Sequence, residues 1–285
     1  MHTTFTPPRA SYRMVFFDCD STLTSIEGID ELARLKGQLD QVAELTRRAM
    51  DGELTLEEVF AERLALLRPS HADLRQVAQA YVAHLVPDAR QTIRALTAAG
   101  CSVHIVSGGL LEAVQVLSRT LDVPADHVHA VPLEFDHLAG QWWRYREHAY
   151  GGNPNEIYLS VPHTPLAGSH GKAAVVSQLA AGEGDTMLVG DGVTDLEARC
   201  AVKLFVGFGG VVSRPKVQAG AEVFIRSPRL AAVVPLALSA ERAGRLRGTV
   251  HQAVLDRGLE DLAGPLVTFR ARSGGGGHDG GEETG

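Results

Sequence analysis

Val15-Phe16-Phe17-Asp18-Cys19-Asp20-Ser21-Thr22 passes from three apolar residues into two acids and two hydroxyls. Such a run reads as a buried strand whose carboxyl end delivers acidic side chains to a cleft, where open α/β sheets carry out their chemistry. Side chains alternate along an extended chain, so Asp18 and Asp20 emerge toward the same side. One of them can attack or bind a metal while the other moves a proton. Alone the pair is a weak signal, because acidic pairs also occur in turns and calcium loops.

Three further segments strengthen the signal. Ile105-Val106-Ser107-Gly108-Gly109 closes an apolar stretch with a hydroxyl and two glycines, ahead of a helical run from Leu110 to Leu121. A serine oxygen and glycine N–H groups at a helix start form a cradle for phosphate. Ser169-His170-Gly171-Lys172 opens the helical pattern of 173–179 and places an ammonium in its first turn. Met187 to Asp195 reads as a strand ending in two more acids, Asp191 and Asp195, among glycines. A metal together with a phosphate accounts for all four segments.

The remaining chain alternates strands with helices, which predicts an α/β fold with a doubly wound, mostly parallel sheet. Tyr12 to Phe17 is the expected central strand. Between Glu27 and Val86 helical patterns follow one another without a strand: 26–50 with Gly37 as an interruption, 55–67 and 72–85. That stretch reads as a helical insertion. After Pro87 a helix is expected over 88–99, a strand over 101–106, one extended segment over 128–135, and short strands at 203–206 and 222–225. The organisation is then a catalytic core over 10–26 and 87–234, an insert over 27–86, an extension of unknown role over 235–272 and a Gly-rich disordered tail over 273–285. Two short helices are expected over about 240–269 of that extension. Trp142-Trp143 and the Gly151-Gly152-Asn153-Pro154 turn read as a flap or a subunit contact, which leaves monomer and homodimer both open. His127 and His129 alternate as ligands do, but strand packing or surface exposure is the expected explanation.

Composition fits an intracellular enzyme. A chain of 285 residues, 45% of them hydrophobic, can bury a large core, and a formal charge of −7 gives no electrostatic reason to expect nucleic acid as a partner. Met1 to Pro8 lacks the charged and apolar regions of a signal peptide. The apolar stretch Leu230 to Leu238 contains Pro235 and is too short to span a bilayer, so no membrane partner is expected. The three cysteines fall in separate segments, which argues against a disulfide framework and for a reducing cytoplasm.

In order and type, Asp18 to Thr22, Ser107, Lys172, and Asp191 with Asp195 resemble the four motifs of the haloacid dehalogenase superfamily of phosphohydrolases. The continuation Glu27-Gly28-Ile29-Asp30-Glu31-Leu32-Ala33 is similar, more narrowly, to the phosphoserine phosphatases within it. The resemblance spans about Tyr12 to Val234. It implies a Rossmann-like core with the insert as a cap, and a Mg²⁺-dependent phosphomonoesterase whose substrate is a small phosphorylated metabolite, phosphoserine. Asp18 is then expected as nucleophile and metal ligand, forming an aspartyl-phosphate. Asp20 is expected as general acid and then base, binding the metal through its backbone carbonyl. Asp191 would be the second carboxylate ligand, and Asp195 either a ligand through water or the residue that orients Lys172. Ser107, Gly108, Gly109 and Lys172 would neutralise the phosphoryl oxygens, with Thr194 beside the substrate. Such hard oxygen ligands suit Mg²⁺.

An amino-acid phosphate also carries an ammonium and a carboxylate. Glu27 is positioned to meet the first and Arg63 to offer a bidentate fork to the second. Met50 and Leu56 would form part of an apolar lid. Leu56 stands where the family usually has phenylalanine, Leu110-Leu111 where it has Phe-Arg, and Val131 where an asparagine is common; Trp142 to His163 is longer than the corresponding loop. These departures leave the phosphoryl-transfer residues intact and bear on the substrate alone. A phosphatase for another small phosphomonoester, or a phosphotransferase to an alcohol such as homoserine, therefore stays open. A phospho-receiver signalling module shares the acids, hydroxyl and lysine, but lacks a general acid two residues beyond its phosphorylated aspartate and carries no helical cap.

Overall fold

The apolar run ahead of Asp18 forms strand β1 (Met14–Phe17), buried along its whole length. A computed structural model describes residues 11–50, 53–136 and 156–270. In it β1 lies between β2 (Ser102–Leu110) and β6 (Thr186–Gly190) and runs parallel to both, with Phe17 opposite Ile105 and Val189. The sheet continues outward to β3 (Val128–Val131) on one side and to β7 (Leu204–Phe208), β8 (Val223–Ile225) and β9 (Val267–Phe269) on the other. Every pair is parallel except β8 with β9. Val15, Phe17, Ile105 and Val189 pack into a core on one face, while Phe16, Val106, Leu188 and Phe205 pack on the other. Burial on both faces explains why these strands are continuous apolar runs.

Helices α1 (Gly28–Lys36), α2 (Leu39–Met50), α3 (Leu56–Leu67) and α4 (His71–Ala83) occupy the stretch between β1 and β2 without an intervening strand. Gly37 ends α1 in the left-handed conformation, φ 66°. Thr55 with Glu58 and Ser70 with Asp73 form capping boxes at the starts of α3 and α4. The two chain crossings at the base of this helical group lie side by side, since Thr24 and Leu85 form an antiparallel bridge and Val86 N–H donates to Leu23 O at 2.9 Å. The sheet is flanked by α5 (Ala89–Ala98), α6 (Leu111–Thr120), α7 (Gly171–Ala180), α8 (Val193–Ala198) and α9 (Pro215–Gly220).

Several expectations change in detail. The strand expected to end at Val106 continues as β2 through Gly109 to Leu110, with a register shift against β3, so the two glycines sit in an irregular strand end rather than at a helix start. The segment 128–135 is not one strand: β3 belongs to the main sheet, whereas β4 (Glu134–Asp136) pairs antiparallel with β5 (Ile157–Ser160) in a separate ribbon. The extension carries α10 (Val233–Ala237), α11 (Ala240–Gly244), α12 (Gln252–Ala263) and the unforeseen edge strand β9. Helix α12 packs on α10 and α5, and the Leu230 to Leu238 stretch is core. Rings of His104 and His127 stack with centroids 4.0 Å apart and His129 stands beside them, a packing arrangement. Trp142, Trp143, the Gly151 to Pro154 turn and the 273–285 tail lie outside the described residues. Among the described residues, no helix is long and apolar enough to cross a membrane.

Candidate active site

Three adjacent parallel strands end at one cleft. Asp18 follows β1 directly, its N–H donating to Val189 O at 2.9 Å, so the last ladder bond of the sheet fixes its backbone. Ser107 lies at the irregular end of β2, fully buried, its Oγ accepting from Gly109 N–H at 2.9 Å. Asp191 follows β6 and accepts from Thr22 Oγ1 at 3.1 Å. Lys172, in the first turn of α7, places Nζ 2.7 Å from Asp18 Oδ1 and 2.8 Å from Asp195 Oδ1. Asp195 also accepts from Gly192 N–H at the start of α8. The Lys172 contact accords with one of its two expected roles, and its place beside Asp18 and Asp191 accords with the other.

Among the described residues Asp18, Asp191 and Asp195 form the one group of three potential metal ligands, with oxygens within 4.8 Å of one another. All three are buried, and only oxygen is offered, a set that could bind a hard divalent cation. Crowding shows in their protonation. Burial, reinforced by Asp195, raises the Asp18 carboxyl well above its ordinary range, against the pull of Lys172. Burial and Asp195 push Asp191 up to about 6. For Lys172 burial acts in the opposite direction, but Asp18 and Asp195 outweigh it and hold the ammonium above its ordinary value.

Asp20 stands on the insert side of the cleft. Burial and Glu27 push it up to about 7, opposed by hydrogen bonds from Tyr81 and from the Gly28 backbone. A carboxyl poised near neutrality suits a group that gives up a proton and takes one back. Ser21, in the loop between Asp20 and α1, adopts φ 54° and donates to Glu27 Oε1 at 2.7 Å.

A cleft of 440 Å³ brings Asp18, Asp20, Glu27, Leu56, Arg63, Gly108, Gly109, Lys172, Asp191 and Thr194 together. Ser107 and Asp195 do not line it themselves but are bonded to residues that do, Ser107 Oγ to Gly109 N–H and Asp195 to Lys172. The Met50 side chain lies outside the described residues. Arg63 donates to Thr46 Oγ1 on α2, while its buried Nε has no partner. Leu56 lines the cleft half exposed, at the N-terminus of α3.

Sequence reading missed two polar residues here. Arg214 donates through Nε to Asp191 Oδ2 at 3.0 Å and reaches Glu27 Oε1 at 3.6 Å, joining the two ends of the cleft. Its signal was the glycine-rich end of β7, Gly207-Phe208-Gly209-Gly210, next to the end that carries Asp191. Tyr81 on α4 donates to Asp20 Oδ1 at 2.7 Å. Nothing local marks it, because it shares a helix face with Val77 and Ala78, which are core.

Residues 12–199 match the haloacid dehalogenase-like hydrolase family. Human phosphoserine phosphatase is 34% identical over 213 residues, covering 74% of this chain and 88% of the relative. The chloroplastic phosphoserine phosphatase of Arabidopsis thaliana is 34% identical over 219 residues, 75% of this chain and 69% of the relative. A structure described as a phospho-aspartyl intermediate analogue of phosphoserine phosphatase superposes with a TM-score of 0.61 at 26% identity, over 79% of this chain and 98% of the other.

Proposed function

The chain belongs to the haloacid dehalogenase-like hydrolase family, and from that premise we propose that it is a Mg²⁺-dependent phosphomonoesterase converting O-phospho-L-serine to L-serine and phosphate. The observation that carries this reading is the content of one cleft. At one end stand a buried carboxylate and an ammonium 2.7 Å apart; at the other stand Glu27 and a guanidinium whose Nε has no partner. Phosphate chemistry accounts for the first end and an amino-acid moiety for the second. Sequence identity of 34% to enzymes named for this activity supports it.

Asp18 is the nucleophile. Its oxygen attacks phosphorus as the ester bond breaks, giving an aspartyl-phosphate. Lys172, Ser107 and the Gly108 and Gly109 backbone hold the phosphoryl oxygens, and Asp195 keeps Lys172 in place. Asp20 gives its proton to the departing serine oxygen, then takes one from the water that attacks the intermediate. The acids fit Mg²⁺ on the chemistry of their donors: Asp18, Asp191 and the Asp20 backbone carbonyl would hold it, within a buried acidic group that lacks enough cations of its own. Bound there, the ion would offset the repulsion between a carboxylate and an anionic ester. Arg63 forks onto the substrate carboxylate, Glu27 meets its ammonium, and Leu56 and Thr194 border the site.

Helices α1 to α4 serve as a cap over the core in this reading. The cytoplasm is the inferred location, a reading supported by three unpaired cysteines. The deciding experiment is phosphate release with Mg²⁺ from L-phosphoserine beside a panel of small phosphate esters, with an added alcohol to detect transfer. The highest kcat/KM for L-phosphoserine, with no transfer product, is expected. A higher value for another ester, or phosphoryl transfer outrunning hydrolysis, would replace phosphoserine hydrolysis with the corresponding reaction.

A further inference from the structure

The hydroxyl of Tyr81 crosses from α4 to the loop after β1. It donates to Asp20 Oδ1 at 2.7 Å, and Gly28 N–H donates to the same oxygen at 2.8 Å. The tyrosine side chain is fully buried. Its approach depends on the residue opposite: a Cβ at position 28 would stand 2.0 Å from the hydroxyl, so only glycine leaves room. The other oxygen of Asp20 turns toward the phosphate cradle. A Cβ on Gly109 would lie 3.1 Å from Asp20 Oδ2, from Ser107 Oγ and from the Tyr81 hydroxyl alike, so the Tyr81–Asp20 pair borders the cradle together.

We propose that Tyr81 is a positioning residue for proton transfer, fixing Asp20 Oδ1 from the helical insert so that Oδ2 faces the leaving oxygen. The inference rests on the phosphomonoesterase reading and on the acid–base role of Asp20 within it. A carboxyl free to rotate about Cβ–Cγ exchanges its two oxygens. Two donors converging on Oδ1 remove that freedom, and one of them arrives only when α4 is docked.

The transfer itself balances. A bond forms between an Asp18 oxygen and phosphorus, the ester P–O bond breaks with its electron pair on the leaving oxygen, and that oxygen takes the proton from Asp20 Oδ2. Charge left on Asp20 is stabilised at Oδ1 by the Tyr81 O–H and Gly28 N–H, already in place before the reaction. In the second step water gives a proton to Oδ2 as its oxygen bonds to phosphorus and the Asp18–phosphorus bond breaks.

Tyr81→Phe keeps the buried ring and removes the donor. Rapid-quench measurement of phosphoenzyme formation compares L-phosphoserine, whose alkoxide needs a proton, with p-nitrophenyl phosphate, whose phenolate leaves without one. The expected result is a loss of about 10- to 100-fold for phosphoserine, part of the full effect of a general acid, with little change for the aryl ester and an unaltered KM. Gly28→Ala, which pushes the hydroxyl off Asp20, is expected to show the same selectivity. Equal losses on both substrates, as from a merely structural defect, or no loss at all, would overturn the assignment. Asp20→Asn measured in parallel separates the two levels. If Asp20→Asn is selective and the Tyr81 and Gly28 variants are not, Tyr81 alone loses its role; if Asp20→Asn is itself unselective, the acid–base reading and the inference fail together.

Discussion

Lys172 Nζ lies 2.7 Å from Asp18 Oδ1, an ion pair buried at both ends. The ammonium also serves Asp195, so three buried acids, Asp18, Asp191 and Asp195, crowd around it with Arg214 as the other nearby cation. Burial and this crowding disfavour the ionised form of Asp18 in the fold. Asp18→Asn preserves shape and removes one of the crowded charges, while Lys172 keeps Asp195. Phosphate release should fall to background while the thermal midpoint stays level or rises. Retained turnover would remove Asp18 from the nucleophile role.

Arg63 reaches the cleft from α3 with one nitrogen tied to Thr46 and Nε unsatisfied. A buried donor without a partner gains most from a ligand that supplies one. Arg63→Ala should raise the KM for phosphoserine about 10- to 100-fold, the worth of a charge-assisted bond, and change the KM for an aryl phosphate far less. Arg63→Lys should not restore binding, because an ammonium lacks the planar fork. Steady-state kinetics on both substrates decides, and equal effects would mean that Arg63 does not read the carboxylate.

What the sequence made legible follows from how local each signal is. Asp18 to Thr22, Ser107 and Asp191 stand at strand ends, where a single apolar run points straight at its polar terminus. The capped helices between β1 and β2 were equally readable, because Thr55 with Glu58 and Ser70 with Asp73 signal within four residues. Tyr81 and Arg214 were not. Their roles come from contacts 61 and 23 residues away in sequence, with Asp20 and Asp191, which no periodicity encodes. Strand β9 escaped for a related reason: Val267 to Phe269 is too short to announce itself, and it is ordered by the edge that β8 offers.

Glu57, in the first turn of α3, accepts from Ser169 N–H at 2.9 Å and from Ser169 Oγ at 3.0 Å. This latch ties the helical insert to the loop three residues ahead of Lys172. It also depends on Gly168, where a Cβ would stand 2.6 Å from Glu57 Oε1. Gly168→Ala displaces the carboxylate and Glu57→Ala removes it. Either change should favour the open insert by about 1 kcal/mol, the net worth of an exposed hydrogen-bonded contact, and raise the KM for phosphoserine about fivefold. Unchanged KM values in both variants would show that the contact does not hold the insert closed.

Asp88, just ahead of α5, anchors the segment that leads into α10: its Oδ1 accepts from Leu230 N–H at 2.9 Å, while the buried Oδ2 has no hydrogen-bond partner and Arg257 of the extension stays 4.0 Å away. Burial pushes its carboxyl from 3.8 up to about 6, with Leu230 and Arg257 pulling the other way. The folded chain thus binds this proton more tightly than the unfolded chain does. The stability that follows is fully present below about pH 4, declines as pH rises, and is lost above about pH 6. At about 1.4 kcal/mol per pKa unit the change is at most about 3 kcal/mol. Asp88→Asn keeps the acceptor for Leu230 and cannot ionise, so its stability relative to the unmodified chain should improve by up to that amount between about pH 4 and pH 7. Urea unfolding of both proteins across this range measures the difference. A constant difference would mean that Asp88 ionises as readily in the fold as in the unfolded chain, and that the orphaned Oδ2 does not resist charge.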